Sequence, residues 1–427
     1  MNDNQKDSGH NGNELLTLQY KTVSNCRICG SEQLAEFLDL GKQPLANSFL
    51  KEEDLKKKEA VYPLRVLFCK SCSLVQLGEV VDPKTLFWNY VYFSSGMPAS
   101  EHFRKYAKGI VKEFVKSEKD LVVEIGSNDG HFLAVVKEDH PNILGVDPSQ
   151  NIAKQANDKG IPTIPDFFSE KLAKKIRIDY SSAKVIIGNN VVAHIDKYDD
   201  LFIGIKETLT NDGVFIFEAP YLVDMFENLT FDTVYHEHLS YLAIRPLKVL
   251  MPRFGLQIFK VEVHPIQGSS IRVFVSHKNA YPVDVSVEQL TQKEKELNMN
   301  ESSSYNRLAQ EIYKLKDEVF GIVKKLKNQG KRLAGYGAPA KGNTLLNFFG
   351  IGADDLEFVT ESLPSKIGLY TPGAHIPVKN IESVREDHPD YYLLLAWNYK
   401  DVILKKEKEF KNRGGKFIMP IGKERII

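Results

Sequence analysis

Four cysteines, Cys26, Cys29, Cys69 and Cys72, are the whole cysteine complement, and they form two Cys-x-x-Cys pairs. Two such pairs supply four thiolates, the donor set of a closed tetrahedral Zn²⁺ site. The 39 residues between the pairs, 30–68, are more than the shortest zinc ribbons have, but loops can fill them. A disulfide pair and four buried core thiols are the rival readings, and a reducing compartment disfavours the first. With four thiolates engaged and no histidine beside them, the metal is expected to be structural. It would hold together a module, 19–80, that is too small and too poor in apolar residues to build a large core.

A second concentration of chemistry is Tyr235-His236-Glu237-His238. A metal, satisfied structural histidines and general acid–base work are all open readings. On a strand, residues two apart share a face, as metal ligation would need, and the His-Glu-x-x-His spacing of zinc proteases is absent. Acid–base work is the reading we favour, because histidine titrates near neutral pH. Tyr235 and the Glu237 carboxylate stand ready to orient an imidazole or bind a substrate oxygen.

A third is LVVEIGSNDG, residues 121–130, followed by HFLAVVKE. The pattern is a strand, a glycine-rich turn and a helix. The turn is Gly126-x-x-x-Gly130, not the Gly-x-Gly-x-x-Gly of a dinucleotide site, and no Gly-Lys-Ser/Thr marks a P-loop. Asp147 ends the next apolar run, 21 residues after Gly126. An acid there can accept hydrogen bonds from an adenosine ribose diol. Glu124-x-Gly126-x-x-x-Gly130 with Asp147 resembles motif I and its follower in class I S-adenosylmethionine-dependent methyltransferases. Such a cofactor has no pyrophosphate and needs close backbone approach but no phosphate cradle. Glycines kept only for turn geometry are the bland alternative.

These groups need a scaffold. AKVIIGNN (183–190), DDLFIGIKETL (199–209) and VFIFEAP (214–220) continue the strand–helix–strand alternation. LQIFKVEVHPI and SSIRVFVSH then read as a closing antiparallel hairpin. Gly126, Asp147, Asn189, Asn190 and Glu218 all fall at strand ends, where ligands bind in doubly wound sheets. Further on, Leu308, Ile312, Leu315, Val319, Ile322 and Leu326 recur at helical spacing. That stripe is expected to pack onto its own domain. KRLAGYGAPAKGNTLLNFF (331–349) is another strand, glycine-rich turn and helix, whose N-terminus with Lys341 suits a phosphate. A vestigial nucleotide fold without ligand is its rival. KKEKEFKNRGGK (405–416) reads as a solvated helix face. The aromatic segment 86–103, with Tyr90, Tyr92 and Phe93, is read equally as a ligand cover and as an interdomain packing strip.

The 427 residues suggest about three domains. Lys plus Arg and Asp plus Glu are 56 each, a balance that argues against a nucleic-acid binder or a polybasic membrane protein. The longest apolar runs are far short of the ~20 residues that span a bilayer. The first 18 residues lack the apolar stretch of a secretory signal and read as a disordered tail, so a cytoplasmic location is expected.

The combination is more specific than its parts. The paired cysteines, the Glu-Ile-Gly-Ser-Asn-Asp-Gly turn, Gly188-Asn189-Asn190-Val-Val-Ala-His194 and Tyr235-His236-Glu237-His238 run in order. Gly335-Tyr336-Gly337-Ala338-Pro339-Ala340-Lys341-Gly342-Asn343, Pro372-Gly373-Ala374-His375-Ile376-Pro377 and Ala396-Trp397-Asn398 follow. From Cys26 to Asn398 the chain resembles the C-methyltransferases of nucleotide-linked deoxysugars. The resemblance implies an α/β protein: a zinc-binding module (19–80), a class I methyltransferase doubly wound sheet (81–279) and a C-terminal Rossmann-like α/β domain (280–427). It implies S-adenosyl-L-methionine as cofactor, structural Zn²⁺, and methylation at C3 of a dTDP-4-keto-deoxysugar through an enolate. His238 matches the general base, with Tyr235 and Glu237 beside it. Glu124, Gly126, Ser127, Asn128, Gly130, Asp147, Asn189 and Asn190 are the expected cofactor contacts. Tyr90, Tyr92, His194, Arg272, Lys341 and Asn343 are the expected substrate contacts. The family's His-Gly-Gly-Ser run is Gln267-Gly268-Ser269-Ser270 here, and an aspartate is replaced by Glu361. Another acceptor carbon, a GDP- or CDP-sugar, or a zinc-ribbon RNA methyltransferase are alternatives. No nucleic acid or membrane partner is expected, and the chain is expected to be a monomer or weak homo-oligomer.

Overall fold

Strands that bury both faces must be covered by helices on both sides, and they read as continuous apolar runs. Leu121–Ile125, Ile143–Val146 and Ala183–Ile187 are buried at every position. The computed structural model describes residues 20–87, 94, 101–265 and 268–427. Tyr90, Tyr92, Phe93, Gln267 and the N-terminal tail lie outside those residues.

The buried runs form the middle of a seven-stranded sheet. Its order is Leu256–His264, Ser270–His277, Leu209–Pro220, Ala183–Ile187, Leu121–Ile125, Ile143–Val146, Thr163–Ile164. Numbered along this domain, that is 6-7-5-4-1-2-3, the class I methyltransferase order. Only Ser270–His277 runs against its neighbours. Chain order reverses between Leu121–Ile125 and Ala183–Ile187, which opens a crevice at their C-terminal ends. The C-terminal sheet is all parallel, in the order Val378–Asn380, Val359–Glu361, Leu333–Tyr336, Tyr391–Leu394, Lys416–Ile418. It has a reversal of its own between Leu333–Tyr336 and Tyr391–Leu394.

The N-terminal sheet has the order Ser240–Tyr241, Val75–Leu77, Tyr62–Cys69, Leu34–Gln43. Its first strand comes from the methyltransferase segment, directly after His238. Ser240 pairs with Gln76 and Tyr241 with Val75, and the Leu77 amide donates to the Leu239 carbonyl at 3.0 Å. The sequence division at residues 80 and 81 therefore splits one sheet. A two-residue strand carries no signal of its own.

The long helix Ser302–Asn328, within the C-terminal segment, also makes contacts outside its own domain. Its stripe buries Leu308, Ile312, Leu315, Val319, Val323 and Leu326. Val323 is fully buried where Ile322 is only partly so, because a 3.6-residue period drifts against alternating steps of 3 and 4. It packs on the N-terminal sheet rather than on its own domain alone. The Tyr305 ring lies 4.3 Å from Phe68 and 5.0 Å from Phe37, and the Tyr313 hydroxyl donates to the Asp39 carbonyl at 3.0 Å. The segment 405–416 is only partly solvated, since Phe410 and Glu407 are buried and Glu407 accepts the Tyr336 hydroxyl at 2.8 Å.

The four cysteine sulfurs lie within 4.8 Å of one another, with Cys26–Cys72 at 3.5 Å and Cys29–Cys69 at 3.6 Å. Bonds of about 2.3 Å in a tetrahedron put sulfurs about 3.8 Å apart, so this donor set fits Zn²⁺. In both knuckles the residue after the second cysteine is left-handed: Gly30 at φ 72° and Ser73 at φ 67°. Their amides donate back to the carbonyls of Cys26 and Cys69 at 2.9 Å. Cys69→Ser is expected to cost most of the bound zinc by metal analysis. Amide exchange should rise at Leu77 and Tyr241 while the central strands stay protected; a full zinc complement would reject the four-thiolate site.

Candidate functional site

At the first crevice, the turn after Leu121–Ile125 is built by close contacts. Gly126 is left-handed at φ 67°, and a Cβ there would lie 2.4 Å from Val191 Cγ2. Gly130, at φ 74°, caps the helix His131–Asp139, and its Cβ would lie 2.8 Å from Ile161. Both positions need glycine for conformation and for space. Asn128 is left-handed too, and its side-chain oxygen accepts the Ser94 amide at 2.9 Å.

Asp147 accepts the Asn128 amide on Oδ2 and the Ser149 amide on Oδ1, each at 2.9 Å. Each oxygen keeps a second lone pair for a ligand. Burial raises its pKa, against those two amides. Glu124 is fully buried and raised well above the usual carboxylate range, chiefly by desolvation. Asn189 Nδ2 reaches its Oε1 at 3.5 Å. Glu124 Oε2, Ser127 Oγ and Asn189 Oδ1 are buried without a partner. Leaving such groups unmade costs about 1–3 kcal/mol each, and their clustering at one strand-end crevice fits a polar cofactor. Asn190 turns the chain at φ 54° and donates its amide to the Glu218 carbonyl at 2.8 Å.

The loop leaving Ala183–Ile187 connects that crevice to the histidines. It carries Asn189 and Asn190, presses Val191 on Gly126, and ends in the turn Val192–His194. The His194 ring lies 4.9 Å from His238, and Phe87 stacks on its far side at 5.8 Å. Tyr235 lies 4.1 Å from His238. His238 Nδ1 donates to the Thr233 carbonyl at 2.8 Å. That bond puts the proton on Nδ1 and leaves the Nε2 lone pair open. Burial first, then the Lys341 charge, lowers His238 to about 4, and burial and His238 hold His194 well below its ordinary value. Both rings are neutral at pH 7.

His236 points the other way. It sits 3.2 Å from the Pro63 carbonyl, its ring edges against Tyr62 at 5.7 Å, and burial lowers it to about 4. The two histidines face different domains, so they share no metal. Among the described residues, only the four cysteines bring three or more metal-ligating side chains together. Glu237 is buried and accepts the Asn47 amide at 2.7 Å.

Arg272 lies beside the site, but its guanidinium is engaged within the protein. It donates to Glu218 at 2.6 and 2.9 Å and to Glu262 at 3.1 Å, and it covers the Tyr106 ring at 3.5 Å. His102 completes the cluster, 3.0 Å from Glu218. Asn343 is buried; its amide donates to the Ala46 carbonyl at 2.7 Å while Oδ1 has no partner. Lys341 lies 4.3 Å from the Trp397 ring centroid, and burial lowers its pKa against the pull of Asp232 and Asp224. Lys366 donates to the Ala338 carbonyl at 2.8 Å and stands 4.0 Å from Glu361.

Sequence reasoning missed Asn47, His102, Asp232 and Lys366, and it assigned no role to Trp397. Asn47 lies on the loop Pro44–Ser48, which has no periodicity to mark it. Asp232 reads as an ordinary turn acid, and only its burial sets it apart.

Three family models match stretches of the chain. Residues 26–87 match the model of a putative zinc binding domain, 99–261 that of a methyltransferase domain, and 265–422 that of a C-methyltransferase C-terminal domain. The chain is 35% identical over 409 residues to the C-methyltransferase NovU of Streptomyces niveus, which covers 95% of this chain and 97% of that one. Solved methyltransferases align to part of it. One from Anabaena variabilis has 13% identity and a TM-score of 0.34, covering 42% of this chain and 86% of its own. One from Clostridium acetobutylicum has 15% and 0.33, covering 42% and 92%. Likenesses of that size carry no weight beside the sheet order and the full-length relative. No helix among the described residues is long and apolar enough to cross a membrane. Its sheet order, its four-thiolate module and its match to NovU along nearly the whole chain make this protein a member of the S-adenosylmethionine-dependent C-methyltransferase family.

Proposed function

We propose that the enzyme methylates C3 of a dTDP-4-keto-deoxysugar through an enolate, with Nε2 of His238 as the general base. The observation that carries this reading is the hydrogen bond from His238 Nδ1 to the Thr233 carbonyl, which leaves Nε2 as a lone-pair acceptor. A carbon beside a ketone becomes a nucleophile only when its proton is removed and charge spreads onto oxygen. The chain therefore needs a base at C3 and a donor at the C4 oxygen. Tyr235, packed on His238, is the donor in this reading, and Glu237, held by Asn47, sets the segment's orientation. His194 lines the wall beside His238, and Lys341 and Asn343 meet the diphosphate from the helix Ala340–Phe349. Tyr90 and Tyr92 stay in the proposal as sugar-nucleotide contacts. Arg272 enters it as the support of Glu218.

Glu124, Gly126, Ser127, Asn128, Gly130, Asp147, Asn189 and Asn190 hold the cofactor in this reading. When bound, the sulfonium supplies the methyl group. The chain's own contribution is alignment of the two reactants, exclusion of water, and removal of one proton at Nε2. The closed four-thiolate site takes no part in that step.

Four measurements test the proposal. His238→Ala is expected to slow C3–H exchange into solvent by about 10²–10⁴-fold, with cofactor affinity unchanged; full turnover would remove His238 as base. In the wild type, exchange is expected to hold level down to about pH 5 and fall only near pH 4, because His238 titrates at about 4. The sign follows from burial, which disfavours the imidazolium and keeps the base free as pH falls; a limb centred near 6.5 would contradict it. Asp147→Asn should weaken cofactor binding roughly tenfold, and an unchanged Kd would take Asp147 out of the ribose role. Mass spectrometry against dTDP-, GDP- and CDP-4-keto-deoxysugars, with NMR location of the new methyl, identifies the acceptor.

A further inference from the structure

The turn that holds His238 is itself held from another domain. Asp232 is fully buried in the turn Phe231–Thr233. A buried carboxylate must be paired or neutralised. Its Oδ2 accepts the Trp397 indole N–H at 2.6 Å, and its Oδ1 has no partner. Trp397 stands in the loop after Tyr391–Leu394 of the C-terminal sheet. Its ring also lies against the Lys341 ammonium, whose charge faces Asp232 and Asp224. The residue after Asp232 is Thr233, whose carbonyl accepts the Nδ1 proton of His238.

We infer that Trp397 is a positioning residue of the methyltransferase site: its indole N–H anchors the Asp232 turn, and the turn presents the Thr233 carbonyl that fixes the His238 tautomer. The C-terminal sheet thereby sets the proton position on an imidazole carried by another domain. The physical need is specific. An imidazole without an acceptor at Nδ1 shares its proton between both nitrogens. Within the turn the Thr233 hydroxyl donates to the Thr230 carbonyl at 2.9 Å and the Val234 amide to the Phe231 carbonyl at 2.9 Å; the indole bond to the buried Asp232 carboxyl is what ties the turn to the C-terminal domain. The groups around His238 are His194 and Tyr235 at its ring faces, Lys341, and the neighbouring Glu237 and Asp232.

The tautomer effect stands whether or not His238 is the base. Only its consequence for rate rests on the proposed function, and the test separates the two. The full-length chain, labelled with ¹⁵N-histidine and free of substrate, reports the Nδ1–H share of His238 directly; His238→Gln assigns the signals. Trp397→Phe keeps the ring and removes the N–H. It is expected to lower the Nδ1–H share and slow C3–H exchange roughly tenfold, with cofactor Kd unchanged. Asp232→Ala should reproduce the shift, and Asp232→Asn, whose amide oxygen still accepts, should restore the wild-type ratio. This pair carries the test if Trp397→Phe does not fold. A wild-type tautomer ratio in Trp397→Phe or in Asp232→Ala overturns the inference. A shifted ratio with undiminished exchange upholds the positioning role and removes His238 as base.

Discussion

The pairing of Ser240 and Tyr241 with Gln76 and Val75 is the contact on which the site depends. A two-residue strand has no stability of its own. It exists because the N-terminal sheet offers an unpaired edge, and that sheet persists because two thiolate knuckles close it. The strand in turn sets where His236, Glu237 and His238 point. His236 enters the N-terminal module, Glu237 meets Asn47, and His238 bonds the Thr233 carbonyl and packs beside His194. The metal module is thus a wall of the site rather than an appendage.

Charge burial is the second organising constraint. Where the protein buries a cation it pairs it: Arg272 with Glu218 and Glu262, Arg27 with Asp196, and Lys341 facing Asp232 and Asp224. Pairs of this kind roughly balance desolvation against attraction, so they add little net stability while fixing geometry. The imidazoles are treated differently. His236 is buried and His194 and His238 are half-buried, none with a carboxylate partner on the ring among the described residues, and desolvation holds all three below the usual imidazole range. A neutral ring with one nitrogen bonded is what a proton acceptor requires.

Much of this protein was legible in the residues because the signals are local. The Cys-x-x-Cys pairs state a donor set, and the Glu124–Gly130 turn states close backbone packing, which Val191 and Ile161 supply. Alternating strand and helix patterns state a doubly wound sheet. The site's support was not legible. Asn47, Asp232 and Trp397 lie 185 and 165 residues apart along the chain, and no pattern relates a loop amide, a turn acid and an indole at such separations. The long helix misled for the same reason: its apolar face was evident, but its partner, the N-terminal sheet, was not.

By itself the sequence determined element type, the glycine-rich turns, the four thiol donors and the histidines available for proton transfer, since each depends on neighbours within a few residues. Tertiary structure alone decided which of His236 and His238 packs beside His194, which nitrogen of His238 meets a backbone carbonyl, and that Arg272 serves Glu218. Those outcomes depend on acceptors delivered by distant strands and loops, and a hydrogen bond is decided by distance and direction in space, not by order along a chain.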